Sequence, residues 1–187
     1  MKASKQSIGR AVDQPSAEVR FYLFHGPDDA QSRALGCRVL EALGASKFLI
    51  GGSAVKSDPA SLVDEAGAMS LFGGARAIWI EPASEDIVAG VEALLEAPSV
   101  ESPVIAIAGS LRKTSNLLKL AEGSRQAVAF AAYPPEGQDA HRMVVDVGRR
   151  YGLTINPAIA ERIAAAAGND QAIVSRLALY ANRTHAR

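Results

Sequence analysis

Phe21-Tyr22-Leu23-Phe24, followed at once by His25-Gly26-Pro27-Asp28, is the stretch on which the fold turns. This short apolar run, rich in strand formers, describes a strand. Gly26-Pro27-Asp28 then ends the strand in a turn. From Ala30 onward the apolar residues Ala34, Leu35, Val39, Leu40 and Leu43 keep helical spacing, and Gly44 supplies a stop. The opening unit is therefore strand, turn, helix.

The same unit recurs along the chain. Lys47-Phe48-Leu49-Ile50 before Gly51-Gly52 reads as a second strand, and Asp58-Pro59 opens a helix that runs to about Gly67. Ala75 to Ile80 is a nearly continuous apolar strand that stops at Glu81-Pro82. Asp86 to Ala97 is helical, with Ile87, Val91, Leu94 and Leu95 on one face. Pro103 to Ala108 is a fourth strand, Leu117 to Ala121 a short helix, and Ala127 to Ala131 a fifth strand. Five strands alternating with helices predict an α/β fold, a five-stranded parallel sheet flanked by helices.

Tyr133-Pro134-Pro135-Glu136-Gly137 breaks that alternation. Beyond it the chain is helical throughout. His141 to Tyr151 is the first helix. Asn156 caps a second over Ala158 to Ala167 with Pro157 in its first turn, and Gly168-Asn169-Asp170 introduces a third to about Ala181. The expected organisation is a loose polar tail over 1–18, an α/β domain over 19–133 and a small three-helix domain over 134–187.

Composition narrows the function. Twenty basic residues balance twenty acidic ones, which argues against bulk electrostatic capture of nucleic acid or an anionic membrane. The hydrophobic fraction of 48% supports a real core, and the 5% aromatic content makes that core aliphatic. No apolar run approaches the roughly 20 residues of a membrane span. The single cysteine, Cys37, reads as a small core residue in a reducing, cytoplasmic compartment. His25, His141 and His185 have no partner at metal or triad spacing and read as surface or turn residues.

A parallel sheet with a turn after its first strand invites a nucleotide. That chemistry needs a glycine-rich loop whose N–H groups converge on phosphate, a lysine for the outer phosphates, and a Ser or Thr for magnesium. The turn here, His25-Gly26-Pro27-Asp28-Asp29-Ala30-Gln31-Ser32-Arg33, has one glycine, a proline that removes a donor, two aspartates where the phosphate would sit, and no lysine. The third strand ends in a lone Glu81, which reads as structural and unpaired. The fourth ends in Ala108-Gly109-Ser110. No cofactor, metal or catalytic residue is expected, and no intrinsic enzymatic activity. The rival readings are an active P-loop ATPase or nucleotide kinase, and a Rossmann-like enzyme working at the carboxyl edge of the sheet.

Three stretches give the chain a family likeness. They are Phe21 to Gly26; Ala68-Met69-Ser70-Leu71-Phe72-Gly73-Gly74-Ala75-Arg76 with the strand Ala77 to Ile80; and Leu111-Arg112-Lys113-Thr114-Ser115-Asn116-Leu117-Leu118-Lys119. Together they resemble the delta subunit of the bacterial DNA polymerase III clamp loader, over about Phe21 to Tyr180. The resemblance implies an AAA+-like, P-loop-type first domain with a degenerate phosphate loop, followed by a helical lid. It also implies that Met69, Ser70, Leu71 and Phe72 insert into a pocket of the sliding clamp and help open the ring in DNA replication, without ATP hydrolysis by this chain. In the family a collar domain follows the lid. The sequence stops at Arg187, so clamp binding is expected and assembly with other loader subunits is not.

Taken without the resemblance, Met69, Leu71 and Phe72 fit two descriptions. A helix end often tucks a hydrophobic residue beneath itself. An exposed apolar wedge marks a partner site instead, and each large side chain buried in a pocket contributes about 1.5–3 kcal/mol. The resemblance selects the wedge. Arg112, Lys113 and Lys119 are either DNA or loader contacts or a solvated loop, and three charges do not decide between them.

Overall fold

The computed structural model describes residues 1–4, 6–69 and 73–185. They divide into two compact units, 1–132 and 133–187.

The first unit is built on five parallel strands: β1 (Phe21–His25), β2 (Ser46–Ile50), β3 (Arg76–Ala83), β4 (Val104–Ala108) and β5 (Ala127–Ala131). Their order across the sheet is β2-β3-β4-β1-β5. Phe21 is opposite both Val104 and Ala127, which puts β1 inside the sheet, and all five of its residues are buried. The period of two sorts the side chains onto two faces. Phe21, Leu23, Ile78, Ile80, Val104 and Ala106 share a core with Leu62, Val91, Leu94 and Leu117. These come from α4 (Pro59–Gly67), α5 (Val88–Glu96) and α6 (Asn116–Gly123). On the opposite face Tyr22, Phe24, Trp79, Ile105 and Phe130 pack with Leu35 and Val39 of α2 (Asp29–Leu43). The apolar runs of β1, β3, β4 and β5 are thus covered by helices, whereas β2, at the edge of the sheet, leaves Phe48 and Leu49 exposed.

Residues 1–18 correct the expectation of a loose tail. Ala3 N–H donates to Ala129 O at 2.8 Å, and Ala129 N–H donates to Met1 O at 3.0 Å, so the segment lies along the β5 edge. Helix α1 (Ile8–Asp13) buries Ile8 and Val12 against the Tyr22 and Phe24 face. Arg38 on α2 holds Asp13 through Nε at 3.0 Å and Nη2 at 2.6 Å. Two apolar residues one turn apart are too short a pattern to read in sequence. The surface they cover exists only once the sheet is formed.

Cys37 is also corrected. It is exposed, because α2 turns Ser32, Leu35, Gly36 and Val39 inward and Cys37 lies one step round from them. His25 ends β1 as expected but is buried, and burial lowers its pKa. A further helix, α3 (Gly52–Ser57), follows β2, where Gly51-Gly52 read only as a stop. The strand β3 continues through Glu81 to Ala83, past the expected end at Ile80.

The second unit holds α7 (Gly137–Arg150), α8 (Pro157–Ala166) and α9 (Gln171–His185). Asn156 caps α8 by accepting from Ile159 N–H at 2.8 Å, and Asp170 caps α9 by accepting from Ala172 N–H at 2.7 Å. Its core is small, with Ala140, Val144, Val147, Ala160, Ala164 and Val174 fully or nearly fully buried.

Candidate functional site

The segment between α4 and β3 is held at both ends. Asp58 caps α4 by accepting from Ala60 N–H at 3.2 Å, with Pro59 in the first turn. The helix ends at Gly67, and Ala68 is extended. The carbonyl of Ala66 accepts from Glu101 N–H and Ser102 N–H, both at 2.9 Å. On the other side, Gly73 and Gly74 have φ of +75° and +83°, a region costly for any residue with a Cβ. Arg76 then opens β3 and ties the ends together. Its Nη2 donates to the Glu65 carbonyl and meets the Glu65 carboxylate at 3.1 Å, while Nε donates to Ser102 Oγ at 3.3 Å. Its guanidinium also lies 5.0 Å from the Phe48 ring.

Met69, at the head of this segment, is 81% exposed. Ser70, Leu71 and Phe72 lie outside the described residues. A short segment with anchored flanks loses less conformational freedom on binding than a free loop, so more of its burial appears as affinity.

The turn after β1 is the second candidate. Helix α2 starts where a phosphate-binding helix would start. Two donors at this start are engaged within the chain: Gln31 N–H bonds Asp28 Oδ1 at 2.9 Å, and Asp28 N–H bonds Ala132 O at 3.3 Å. Gly26 N–H bonds Gly109 O at 3.1 Å, and Pro27 has no N–H. Gly26 adopts φ +122°, and a Cβ there would lie 2.1 Å from Ala132 O. The loop thus closes round a carbonyl of its own chain. Ser32 is fully buried, and its hydroxyl has no hydrogen-bond partner among the described residues.

Glu81, expected to be unpaired, is the most heavily partnered carboxylate of this region. Arg33 Nε donates to Oε1, and Trp79 Nε1 donates to Oε2 at 2.9 Å. The Lys47 ammonium sits 3.7 Å from the centre of the Trp79 ring. Burial alone would raise the Glu81 pKa. The hydrogen bonds from Trp79 and Arg33, with the charges of Arg33 and Lys47, outweigh it and hold the carboxyl below the usual glutamate range. Neither Arg33 nor Arg76 was singled out as a partner in sequence, because a salt bridge between residues 48 apart leaves no local pattern.

Arg112, Lys113 and Lys119 are all outside the buried core. They do not converge on one cleft. Arg112 lines one with Glu85, Ser110 and Ser115, while Lys119 lines another with Glu92, Glu96 and Gln126. Glu85 reinforces the start of α6, accepting from Asn116 N–H at 3.1 Å and from the Ser115 hydroxyl, and it sets a negative charge beside Arg112. Among the described residues no group of acids, histidines and cysteines could hold a metal ion, and no helix is long and apolar enough to cross a membrane.

No protein-family model and no curated protein matches the sequence. Solved structures do resemble the fold. The Bacillus subtilis DNA clamp loader delta protein superposes with a TM-score of 0.64 at 13% identity, over 96% of this chain and 57% of that one. The Thermotoga maritima RuvB Holliday junction branch migration motor gives 0.53 at 15% identity, over 92% and 57%. A single-residue variant of that RuvB gives 0.54 at 15% identity over the same shares. This chain therefore spans less than three-fifths of the length of each. The fold shared with these structures is a five-stranded parallel sheet flanked by helices.

Proposed function

We propose that this chain docks a ring-shaped sliding clamp through Met69, Ser70, Leu71 and Phe72, as a clamp-loader delta subunit, and promotes ring opening during DNA replication without hydrolysing ATP itself. The observation that carries the reading is Met69, 81% exposed at the head of a segment whose flanks Arg76, Glu65 and Ser102 tie together. The likeness to a clamp-loader delta protein supplies the class of partner. Other loader subunits are partners only where a collar domain accompanies this chain. DNA is met indirectly, with Arg112, Lys113 and Lys119 as the residues to test. The working compartment is the cytoplasm.

Replacing Leu71 and Phe72 together by alanine is expected to abolish clamp binding and leave the fold intact. Two such side chains contribute about 3–6 kcal/mol, or roughly a hundredfold or more in affinity. Calorimetric titration against a bacterial sliding clamp reads this directly, and parental affinity in the double variant would overturn the proposal.

The likeness to RuvB favours a second reading, a nucleotide-using AAA+ module. Titration with magnesium and ATP separates the two. Saturable binding at the Gly26–Arg33 turn supports the second, and its absence the first.

A further inference from the structure

The phosphate-loop pattern can be laid over this turn residue by residue. In G-x-x-x-x-G-K-[ST] the eighth position is the hydroxyl residue that holds magnesium, and an acid at the end of a neighbouring strand holds the same ion. Counting from Gly26, the second glycine falls on Gln31, the lysine on Ser32 and the magnesium residue on Arg33. The acid falls on Glu81, near the carboxyl end of β3. Arg33 and Glu81 are bonded to each other. A cationic side chain therefore stands at the position of the metal's first protein ligand and reaches the carboxylate that would be its second.

The surroundings are built for this pair. Trp79 occupies the remaining oxygen of Glu81. Gly36, one turn along α2 from Arg33, is the residue whose absent Cβ lets the Trp79 ring approach. A Cβ there would lie 2.6 Å from the ring. Both carboxylate oxygens of Glu81 have a partner, so a divalent cation meets a guanidinium in its place. Asp28 and the Ala132 carbonyl do the same for the anion, accepting the Gln31 and Asp28 N–H groups of the loop.

We infer that the nucleotide site of this AAA+ fold is occupied by the protein itself, with the Arg33 guanidinium standing in for the magnesium ion and Asp28 with the Ala132 carbonyl for the phosphate. In an active site of this type the bound nucleotide and metal bridge the first helix to the third strand. Here Arg33 and Glu81 make that bridge. The inference deepens the reading that this chain does not use ATP, and it is independent of whether the chain docks a clamp.

The test uses Trp79, the single tryptophan, whose indole N–H is bonded to Glu81. Wild-type emission and Tm are expected to be unchanged by millimolar magnesium, by EDTA and by magnesium with ATP. Arg33→Gln and Glu81→Gln are each expected to shift Trp79 emission and lower Tm. The double variant should lose no more than the worse single one, and Arg33→Lys should recover part of the loss. Saturable magnesium or magnesium-ATP binding by the wild type overturns the inference. So does additive behaviour of the two variants, or an Arg33→Gln protein with the parental spectrum and Tm. Should a variant fail to fold, the wild-type titrations still decide. Clamp titration of Arg33→Gln runs alongside: retained binding assigns any failure here to this inference alone, and lost clamp binding by the Leu71 and Phe72 variant still tests the docking proposal.

Discussion

Two loops of the first unit follow strand or helix ends, and they spend their chemistry in opposite directions. The turn Gly26–Arg33 turns inward. Its donors go to Asp28, Gly109 and Ala132, its arginine goes to Glu81, and a missing Cβ at Gly26 lets the chain close on its own carbonyl. The segment 68–75 is tied at its flanks, through Arg76, Glu65 and Ser102, and presents Met69 to solvent. Under the proposed function, the difference separates fold maintenance from recognition. A loop that satisfies its polar groups internally offers a ligand little. A loop anchored through polar contacts at its base can offer apolar surface without leaving buried groups unpaired.

The largest expected effect falls on the outward loop: the paired Leu71 and Phe72 truncation removes clamp binding with Tm unchanged. Retained binding would end the contrast, since both loops would then be structural. Next is Gly26→Ala, which forces a Cβ towards Ala132 O at a φ of +122°. Strained backbone and overpacking together are expected to cost about 3 kcal/mol or more, read by denaturant unfolding. A parental midpoint would mean that the inward loop is not held as described.

Arg76→Gln tests whether the base of the outward loop matters to its tip. Clamp affinity is expected to fall by about tenfold, near 1.4 kcal/mol, with an unchanged far-ultraviolet circular dichroism spectrum. Arg76→Lys should restore little, because one ammonium cannot reproduce the fork that reaches Glu65 and Ser102.

The smallest effect is a pH dependence. Glu81 is held below the usual glutamate range, so the folded state binds its proton less readily than the unfolded chain. The stability it contributes is complete above the unfolded-state pKa and is lost as pH falls through the folded value. Between neutral pH and acid the wild type should therefore lose more stability than Glu81→Gln, as followed by Tm. His25, whose pKa is lowered by burial, acts in the same direction from its own higher range, so Glu81→Gln should flatten the acid limb only in part.

The alternation of apolar runs and helical periods was readable because it is local. The interior strands had to be apolar on both faces, and Asp58-Pro59 and Asn156-Pro157 carried their helix starts in two letters. The degenerate phosphate loop was readable for the same reason, since the missing lysine and glycine and the added proline and aspartates are neighbours in sequence. Strand order, the docking of residues 1–13 on β5 and α2, and the exposure of Cys37 were not. Each depends on a surface made from distant parts of the chain. Glu81 shows the limit most clearly. In sequence it is one acid before a proline, and its meaning comes from Arg33, Trp79 and Lys47, brought together by β3, β2 and α2. The sequence by itself determined that this chain folds as a parallel α/β sheet with a phosphate loop lacking its usual residues. Only the tertiary structure decided which groups that loop pairs with, because hydrogen bonds and ion pairs depend on distance in space, whereas strand and helix patterns depend on distance along the chain.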